Sequence, residues 1–345
     1  MKVAVVGASG YTGLELLRIL LRHPRVEIAA ITSEQRAGRP VGEAFPALAG
    51  LLDLRLEAAA PAALAERVDL AFTCLPHAAS APTVCELRQA GVRVIDLSAD
   101  FRLRDPDVYA AAYGEHAAPE LLGQAVYGLP ELHRAALPGA ELVAAPGCYP
   151  TGLLLALAPF LRAEQVRDDV LWVDAKSGVS GAGRKVDAEL LFAELDGNAR
   201  AYKVGGAHRH VPEMEQEASR AAGRSLQVTF VPHLIPTTRG ILTTVYVRPP
   251  ADLTPARARA LVEEAYAGEP FVRLLPEGVL PSLAAVRGSN FCDVTAVLDE
   301  RTGTLLLLSA LDNLTKGASG QAVQCMNAVC GWPETEGLLE APLVP

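Results

Sequence analysis

The N-terminal stretch constrains this chain more than any other. Lys2–Val6 reads as a short buried strand, Gly7-Ala8-Ser9-Gly10-Tyr11-Thr12-Gly13 follows at once, and Thr12–Arg22 carries Leu14, Leu17, Ile19, Leu20 and Leu21 on a broad apolar stripe. A strand, a glycine-rich turn and an amphipathic helix open a parallel βαβ unit, whose crossover helix must lie on the face of a sheet. The G-x-x-G-x-x-G spacing adds chemistry to that geometry. Glycine permits the tight turn and a close backbone approach, and the helix N-terminus attracts negative charge, so the turn reads as a diphosphate cradle. A glycine-rich turn without a ligand is the bland alternative, and the immediate succession of strand, loop and helix argues against it.

The same alternation continues. Glu27–Thr32, Leu70–Cys74 and Arg93–Leu97 read as strands, and a helix is expected from about Ser80 to Ala90. From about Val170 the pattern changes. Leu171–Ala175, Ser225–Phe230, Ile241–Arg248, Asp293–Asp299 and Thr304–Ala310 read as strands with Thr/Val alternation, typical of a mixed or antiparallel sheet with helices on one face. Pro212-Glu213-Met214-Glu215 opens a helix whose acidic first turn suits the dipole, and a last helix around Gly317–Cys330 is expected to pack back on the first domain. The fold class is α/β: a Rossmann-type doubly wound parallel sheet, with a second α+β domain of mixed or antiparallel sheet.

Composition narrows the function. A chain of 345 residues, half of them hydrophobic, can bury the cores of two domains. A net charge of -9 with no long run of Lys or Arg argues against a nucleic-acid partner. The longest apolar stretch, Leu153–Leu161, is too short to span a bilayer, and no export signal is legible, so a cytoplasmic protein is expected. The six cysteines, Cys74, Cys85, Cys148, Cys292, Cys325 and Cys330, match no zinc or redox spacing; no metal is expected, and most read as small core residues. Ala58–Ala63 and the tail Glu334–Pro345 read as surface loops.

The second strand ends Ile31-Thr32-Ser33-Glu34-Gln35-Arg36. A carboxylate at the strand end would hold a ribose 2′-OH, whereas hydroxyls and a guanidinium suit a 2′-phosphate. Glu34 argues for the first and Arg36 for the second; the balance favours NADP.

Ala145–Gly152 reads APGCYPTG, directly before LLLALAPFL. Pro150 suits the first turn of a helix and Gly147 a tight approach to it, which puts Cys148 where unpartnered amides and the helix dipole favour a thiolate. A nucleophilic thiol needs a neighbouring base or cation. Among seven histidines, His208 and His210 stand out in Gly205-Gly206-Ala207-His208-Arg209-His210-Val211-Pro212-Glu213; an extended backbone would put both on one face. The alternative is a surface loop with metal-like spacing and no third ligand. A third patch, Ser177–Lys185, has small residues for close backbone approach, and Arg184 and Lys185 for attracting phosphate.

GASGYTG, LSADFRL at Leu97–Leu103, PGCYPT, SGVSGAGR, HRHVPE and DNLTKGASGQAVQ at Asp312–Gln324 occur in this order. Together they resemble the N-acetyl-gamma-glutamyl-phosphate reductase family, in the superfamily that includes aspartate-semialdehyde dehydrogenase. The resemblance implies an NADP-binding domain from residues 1–147 plus 313–345, and a catalytic and oligomerisation domain from 148–312. It implies that Cys148 attacks an acyl phosphate, that the thioester is reduced by hydride from NADPH, and that a histidine of HRH is the acid/base group. Position leans toward His210, nearer the helix start, with His208 kept open. Gly7, Ser9, Gly10, Tyr11, Thr12 and Gly13 match the family's diphosphate loop, and Ser33 and Arg36 its 2′-phosphate region. Ser180, Gly181, Asn313 and Lys316 match its cofactor-side loop and terminal helix. Arg102 and Arg184 are candidates for substrate carboxylate or phosphate. A small-molecule acyl phosphate and a homodimer or homotetramer are the implied partners. A lysine-pathway relative acting on a carrier-bound aminoadipyl phosphate, aspartate-semialdehyde dehydrogenase, and a non-enzymatic NADP-binding redox sensor remain as alternatives.

Overall fold

The structure is a computed structural model that describes residues 1–184 and 186–343. Lys185, grouped above with Arg184, lies outside the described residues. The chain divides into two compact units, one of Met1–Pro146 with Ala318–Leu339, the other of Gly147–Gly317 with Glu340–Pro345.

In the first unit six strands pair in parallel: β1 (Lys2–Val6), β2 (Glu27–Ile31), β3 (Leu70–Thr73), β4 (Arg93–Asp96), β5 (Val126–Tyr127) and β6 (Leu142–Ala144), in the order β2-β1-β3-β4-β6-β5. β1 therefore has its sequence neighbour on one side and β3 on the other. This is the topological switch point, where a parallel sheet opens a crevice at its carboxyl ends. The glycine turn lies there, between β1 and helix α1 (Tyr11–Leu20). Helix α2 (Ala81–Gln89) starts on Asp100, whose carboxylate accepts the Ser80 and Ala81 amides at 2.9 and 3.0 Å. The tail from Glu334, expected as a loose surface loop, is instead fastened to this unit. Glu334 pairs with Arg134 and Glu336 with Arg25, each at 2.6 Å, and Leu338 is buried.

The second unit opens with helix α3 (Cys148–Arg162) and continues with β7 (Val170–Ser177), β8 (Arg200–Ala201), α4 (Val211–Ala222), β9 (Gln227–Leu234), β10 (Ile241–Val247), α5 (Pro255–Tyr266), β11 (Val272–Leu274), β12 (Cys292–Asp299) and β13 (Thr304–Leu311). Its sheet is mixed, in the order β11-β12-β13-β10-β7-β9-β8. α3 packs on β10 and β13. Gly152 sets how closely: a Cβ there would sit 3.1 Å from Ser309 Oγ and 3.2 Å from Thr243 Oγ1. Pro159, inside α3, has no N–H for the Leu155 carbonyl, and the Tyr266 hydroxyl of α5 donates to that oxygen instead, at 2.6 Å. The opposite face of the sheet carries an apolar row. Thr229, Trp172, Tyr246, Leu306 and Val297 are register partners across β9, β7, β10, β13 and β12, and Trp172, Tyr246 and Val297 are exposed.

The expected last helix is a π turn over Thr315–Ser319 followed by α6 (Gly320–Val329), and α6 belongs to the first unit.

Candidate active site

Cys148 is the first residue of α3, with Gly147 as its N-cap and no side chain capping the helix start. The helix itself supplies no acceptor for its first-turn amides, so positive potential gathers at the thiol. The peptide before Cys148 is held at both ends. The Gly147 N–H donates to a Glu213 carboxylate oxygen at 2.8 Å, and the Gly147 carbonyl accepts from the Thr151 amide at 3.0 Å and its hydroxyl at 2.9 Å. A Cβ on Gly147 would lie 2.7 Å from His210 Nε2 and 3.0 Å from the other Glu213 oxygen. Imidazole and carboxylate thus crowd the residue before the thiol, and a side chain there would displace them.

The HRH segment is not extended, the condition under which alternation would put both histidines on one face. It is a turn, entered through left-handed backbone at Lys203, Gly205 and Gly206, with φ of 45°, 68° and 82°. The Gly-Gly pair makes that path accessible. The two rings still meet, their centroids 4.9 Å apart. His210 is the N-cap of α4, and its amide donates to His208 Nδ1 at 3.1 Å. His208 packs edge-on against Tyr149, Tyr202 and Phe230 at 5.2 to 5.8 Å. Burial, aided by Lys203, pulls its pKa down to about 4. The Tyr149 and Tyr202 hydroxyls are 2.8 Å apart, and burial pushes Tyr149 well up and Tyr202 up to about 12.

Gly317 packs on Cys148 from the π turn. A Cβ there would lie 2.7 Å from the Cys148 Cβ. The turn is shaped by Asp312, whose carbonyl accepts the Gly317 amide at 2.9 Å and whose carboxylate accepts the amides of Leu314 and Thr315 at 2.8 and 3.1 Å. In the sequence Glu213 reads only as an acid suited to a helix start, and Gly317 only as the first residue of the last helix. The signal for both lay in their neighbours: an acid three residues after His210, and a glycine directly after a lysine at a helix start.

Other expected residues fall elsewhere. Asn313 holds Ser180 of the third patch, donating from Nδ2 to Ser180 Oγ at 2.9 Å and accepting the Gly240 amide at 2.8 Å. Gly181 and Arg184 are exposed beyond it. Lys316 is fully buried, its Nζ 5.8 Å from the Phe271 ring centre, and offers no surface to a ligand. Arg102, in the first unit, is 6% exposed and donates to the Ala145 carbonyl at 2.7 Å and the Leu97 carbonyl at 3.0 Å.

The glycine turn fits a dinucleotide. Gly7 has φ +81°, and its amide and that of Ala8 are drawn to the Thr32 hydroxyl and carbonyl at 3.1 and 3.0 Å. Gly10 caps α1 with no side-chain bond and open space where a Cβ would be, leaving the helix start accessible to an anion. A Cβ on Gly13 would sit 2.5 Å from Ala8 Cα, so helix and turn touch there. Tyr11 stands beside them, 40% exposed, and the Thr12 carbonyl accepts from Ser319 Oγ at 2.8 Å. At the end of β2, Ser33 is buried and Arg36 lies over the Phe45 ring at 5.1 Å. The Glu34 carboxylate is turned to the Ala59 amide, at 2.7 Å. Among the described residues no helix is long and apolar enough to cross a membrane.

Residues 2–140 match the family model described as semialdehyde dehydrogenase, NAD binding domain, and residues 148–313 the semialdehyde dehydrogenase dimerisation domain. Proteins named N-acetyl-gamma-glutamyl-phosphate reductase from Citrifermentans bemidjiense and Geobacter sulfurreducens are 54% and 53% identical to this chain, covering 100% of both partners in each comparison. In fold, the Vibrio cholerae aspartate semialdehyde dehydrogenase II complexed with ASA matches 95% of this chain and 97% of its own, with a TM-score of 0.71 at 19% identity. The Candida albicans enzyme with NADP gives 0.65 at 16% identity, over 95% and 97% of the two chains. The chain is thus a member of the N-acetyl-gamma-glutamyl-phosphate reductase family of oxidoreductases, built from the two semialdehyde dehydrogenase domains.

Proposed function

We propose that this protein reduces N-acetylglutamyl 5-phosphate to N-acetylglutamate 5-semialdehyde, releasing inorganic phosphate, with Cys148 as nucleophile, His210 as acid/base group and NADPH as reductant. The observation that carries this reading is the packing of His210 Nε2 and the Glu213 carboxylate against the glycine that precedes the thiol. His210 accepts the Cys148 proton, and the carboxylate stabilises the imidazolium so formed. The thiolate attacks the acyl carbon, the first-turn amides of α3 meet the developing oxyanion, and the carbon–oxygen bond to phosphate breaks to leave a thioester. When bound, a reduced nicotinamide supplies hydride to the thioester carbon. His210 gives its proton to the thiohemiacetal oxygen and takes it back as collapse breaks the carbon–sulfur bond, which expels the Cys148 thiolate and frees the aldehyde.

Gly7, Ser9, Gly10, Tyr11, Thr12 and Gly13 hold the dinucleotide's diphosphate. Ser33 and Arg36 meet the 2′-phosphate, a reading supported by Glu34 being turned to Ala59. Ser180 and Gly181 form the cofactor-side loop, with Asn313 as its anchor. Arg102 and Arg184 are the candidates for the substrate's anionic groups, and Arg102 also holds the backbone at Ala145, upstream of the thiol. A second copy of the chain covers the row of Trp172, Tyr246, Leu306 and Val297, since an exposed apolar row on a sheet face is what an isologous contact buries.

The test is the reverse reaction: NADP-dependent, phosphate-dependent oxidation of N-acetylglutamate 5-semialdehyde, beside its one-carbon-longer homologue and aspartate semialdehyde. Preference for the acetylated glutamyl aldehyde, abolished in Cys148→Ser, is expected. Preference for the longer homologue overturns the substrate, and turnover by Cys148→Ser overturns the nucleophile.

A further inference from the structure

His208 lies beside His210 in sequence and in space, yet its surroundings suit a different task. Its Nδ1 accepts the His210 backbone amide at 3.1 Å. That bond settles the tautomer: Nδ1 is bare, and the neutral ring carries its proton on Nε2. A proton added at Nδ1 would face an N–H and break the bond. The ring is also enclosed, edge-on to Tyr149, Tyr202 and Phe230. Tyr149 is the residue after Cys148, and its hydroxyl is 2.8 Å from that of Tyr202. The aromatic group around His208 therefore touches the start of the nucleophile's helix, while its Nδ1 holds the backbone of the acid/base residue. The loop before it needs such an anchor, because Lys203, Gly205 and Gly206 all adopt left-handed backbone.

We propose that His208 is a positioning residue, which fixes the His210 imidazole relative to Cys148 by receiving the His210 amide on Nδ1. The inference rests on His210 being the acid/base group. Burial beside Lys203 supports it, since a ring held neutral down to about pH 4 does not exchange protons near neutrality.

Two substitutions divide the ring's nitrogens. In His208→Asn the amide oxygen stands near the place of Nδ1 and can accept the amide two residues on, as in an Asx turn. In His208→Gln the amide reaches the place of Nε2 and leaves the His210 amide without its partner. Both are assayed in the full-length protein for kcat and KM of aldehyde oxidation against pH, and for the pH dependence of Cys148 alkylation. We expect His208→Asn to stay within about 5-fold of wild-type kcat, and His208→Gln to lose about 10- to 100-fold in kcat with KM little changed. The alkylation profile of His208→Asn should match wild type. The proposal is overturned if Gln is the tolerated residue, if Asn raises KM alone, or if Asn removes the pH limb. His210→Asn tests the underlying reading separately: it should lose about 10²- to 10⁴-fold and its acid/base limb. A limb that survives in His210→Asn sinks the acid/base assignment whatever the His208 variants do. The alkylation readout needs no turnover, so it decides the matter even where a variant is catalytically dead.

Discussion

Cys148 and Gly317 pack so closely that a Cβ on Gly317 would lie 2.7 Å from the Cβ of Cys148 and 3.2 Å from its Cα. The contact is with backbone and the root of a side chain, so no flexible group can swing aside. Gly317→Ala should destabilise the protein by about 1–3 kcal/mol, as overpacking does. A small displacement of the nucleophile should lower kcat by about 10- to 100-fold. Denaturant unfolding and steady-state kinetics read the two effects. A variant with wild-type kcat would show that the wall behind the thiol yields.

Glu213 is 2% exposed; its carboxylate accepts the Gly147 amide and lies with His210 Nε2 against the same glycine. Glu213→Gln keeps an acceptor for the amide and removes the charge. It should retain most of its stability while kcat falls by about 10- to 100-fold, the scale of lost general acid–base support. Glu213→Ala should lose both, because it also leaves a buried amide unpartnered. Equal kcat in wild type and Glu213→Gln would reduce the carboxylate to a backbone tether.

Arg36 is the test of cofactor choice. Removing a charged hydrogen-bond donor to phosphate weakens binding by about 1.5–3 kcal/mol. Arg36→Ala should therefore lower the preference for NADPH over NADH in kcat/KM by about 10- to 100-fold. An unchanged ratio would place 2′-phosphate recognition elsewhere.

Burial holds the folded-state pKa of His208 down at about 4 and that of His23 below its ordinary 6.5. The unfolded chain binds these protons first as pH falls. Stability from both groups is complete above about pH 6.5, declines below it, and for His208 is lost by about pH 4. Melting temperature measured between pH 7.5 and 4 should fall less steeply in His208→Asn than in wild type. Parallel curves would mean that the ring is not held neutral by its burial.

Tyr246 and Trp172 are register partners on the exposed sheet face. Tyr246→Glu should dissociate the oligomer, read by sedimentation. An unchanged oligomer would move the interface to another surface.

The long elements of both units were legible because their periods are strong. β1 and β10 begin at the residues expected, and β12 and β13 lie within one residue of their expected limits. β5, β6, β8 and β11, of two or three residues each, carry too little pattern to be seen. The alternation that put His208 and His210 on one face assumed an extended chain, whereas the glycines bend it into a turn. The rings meet all the same, because His208 accepts the amide of His210 rather than standing beside it on a strand. For Glu213 the sequence offers one signal, its place three residues after His210; its other partner, the amide of Gly147, is a backbone group and leaves no mark there. Lys316 shows the converse, a cation that looks poised for a ligand and is buried beneath Phe271.

The chain enters the second unit at Gly147 and first leaves it at Gly317; Gly147 precedes Cys148 in the chain, and Gly317 packs on its Cβ and Cα. Residues 147–317 are thus inserted in the chain that forms the first unit, and both ends of the insertion meet at Cys148, the proposed nucleophile. A cut or an added residue at either seam would act on the chemistry at once. The seams of the insertion are thus where the chain is expected to tolerate the least handling.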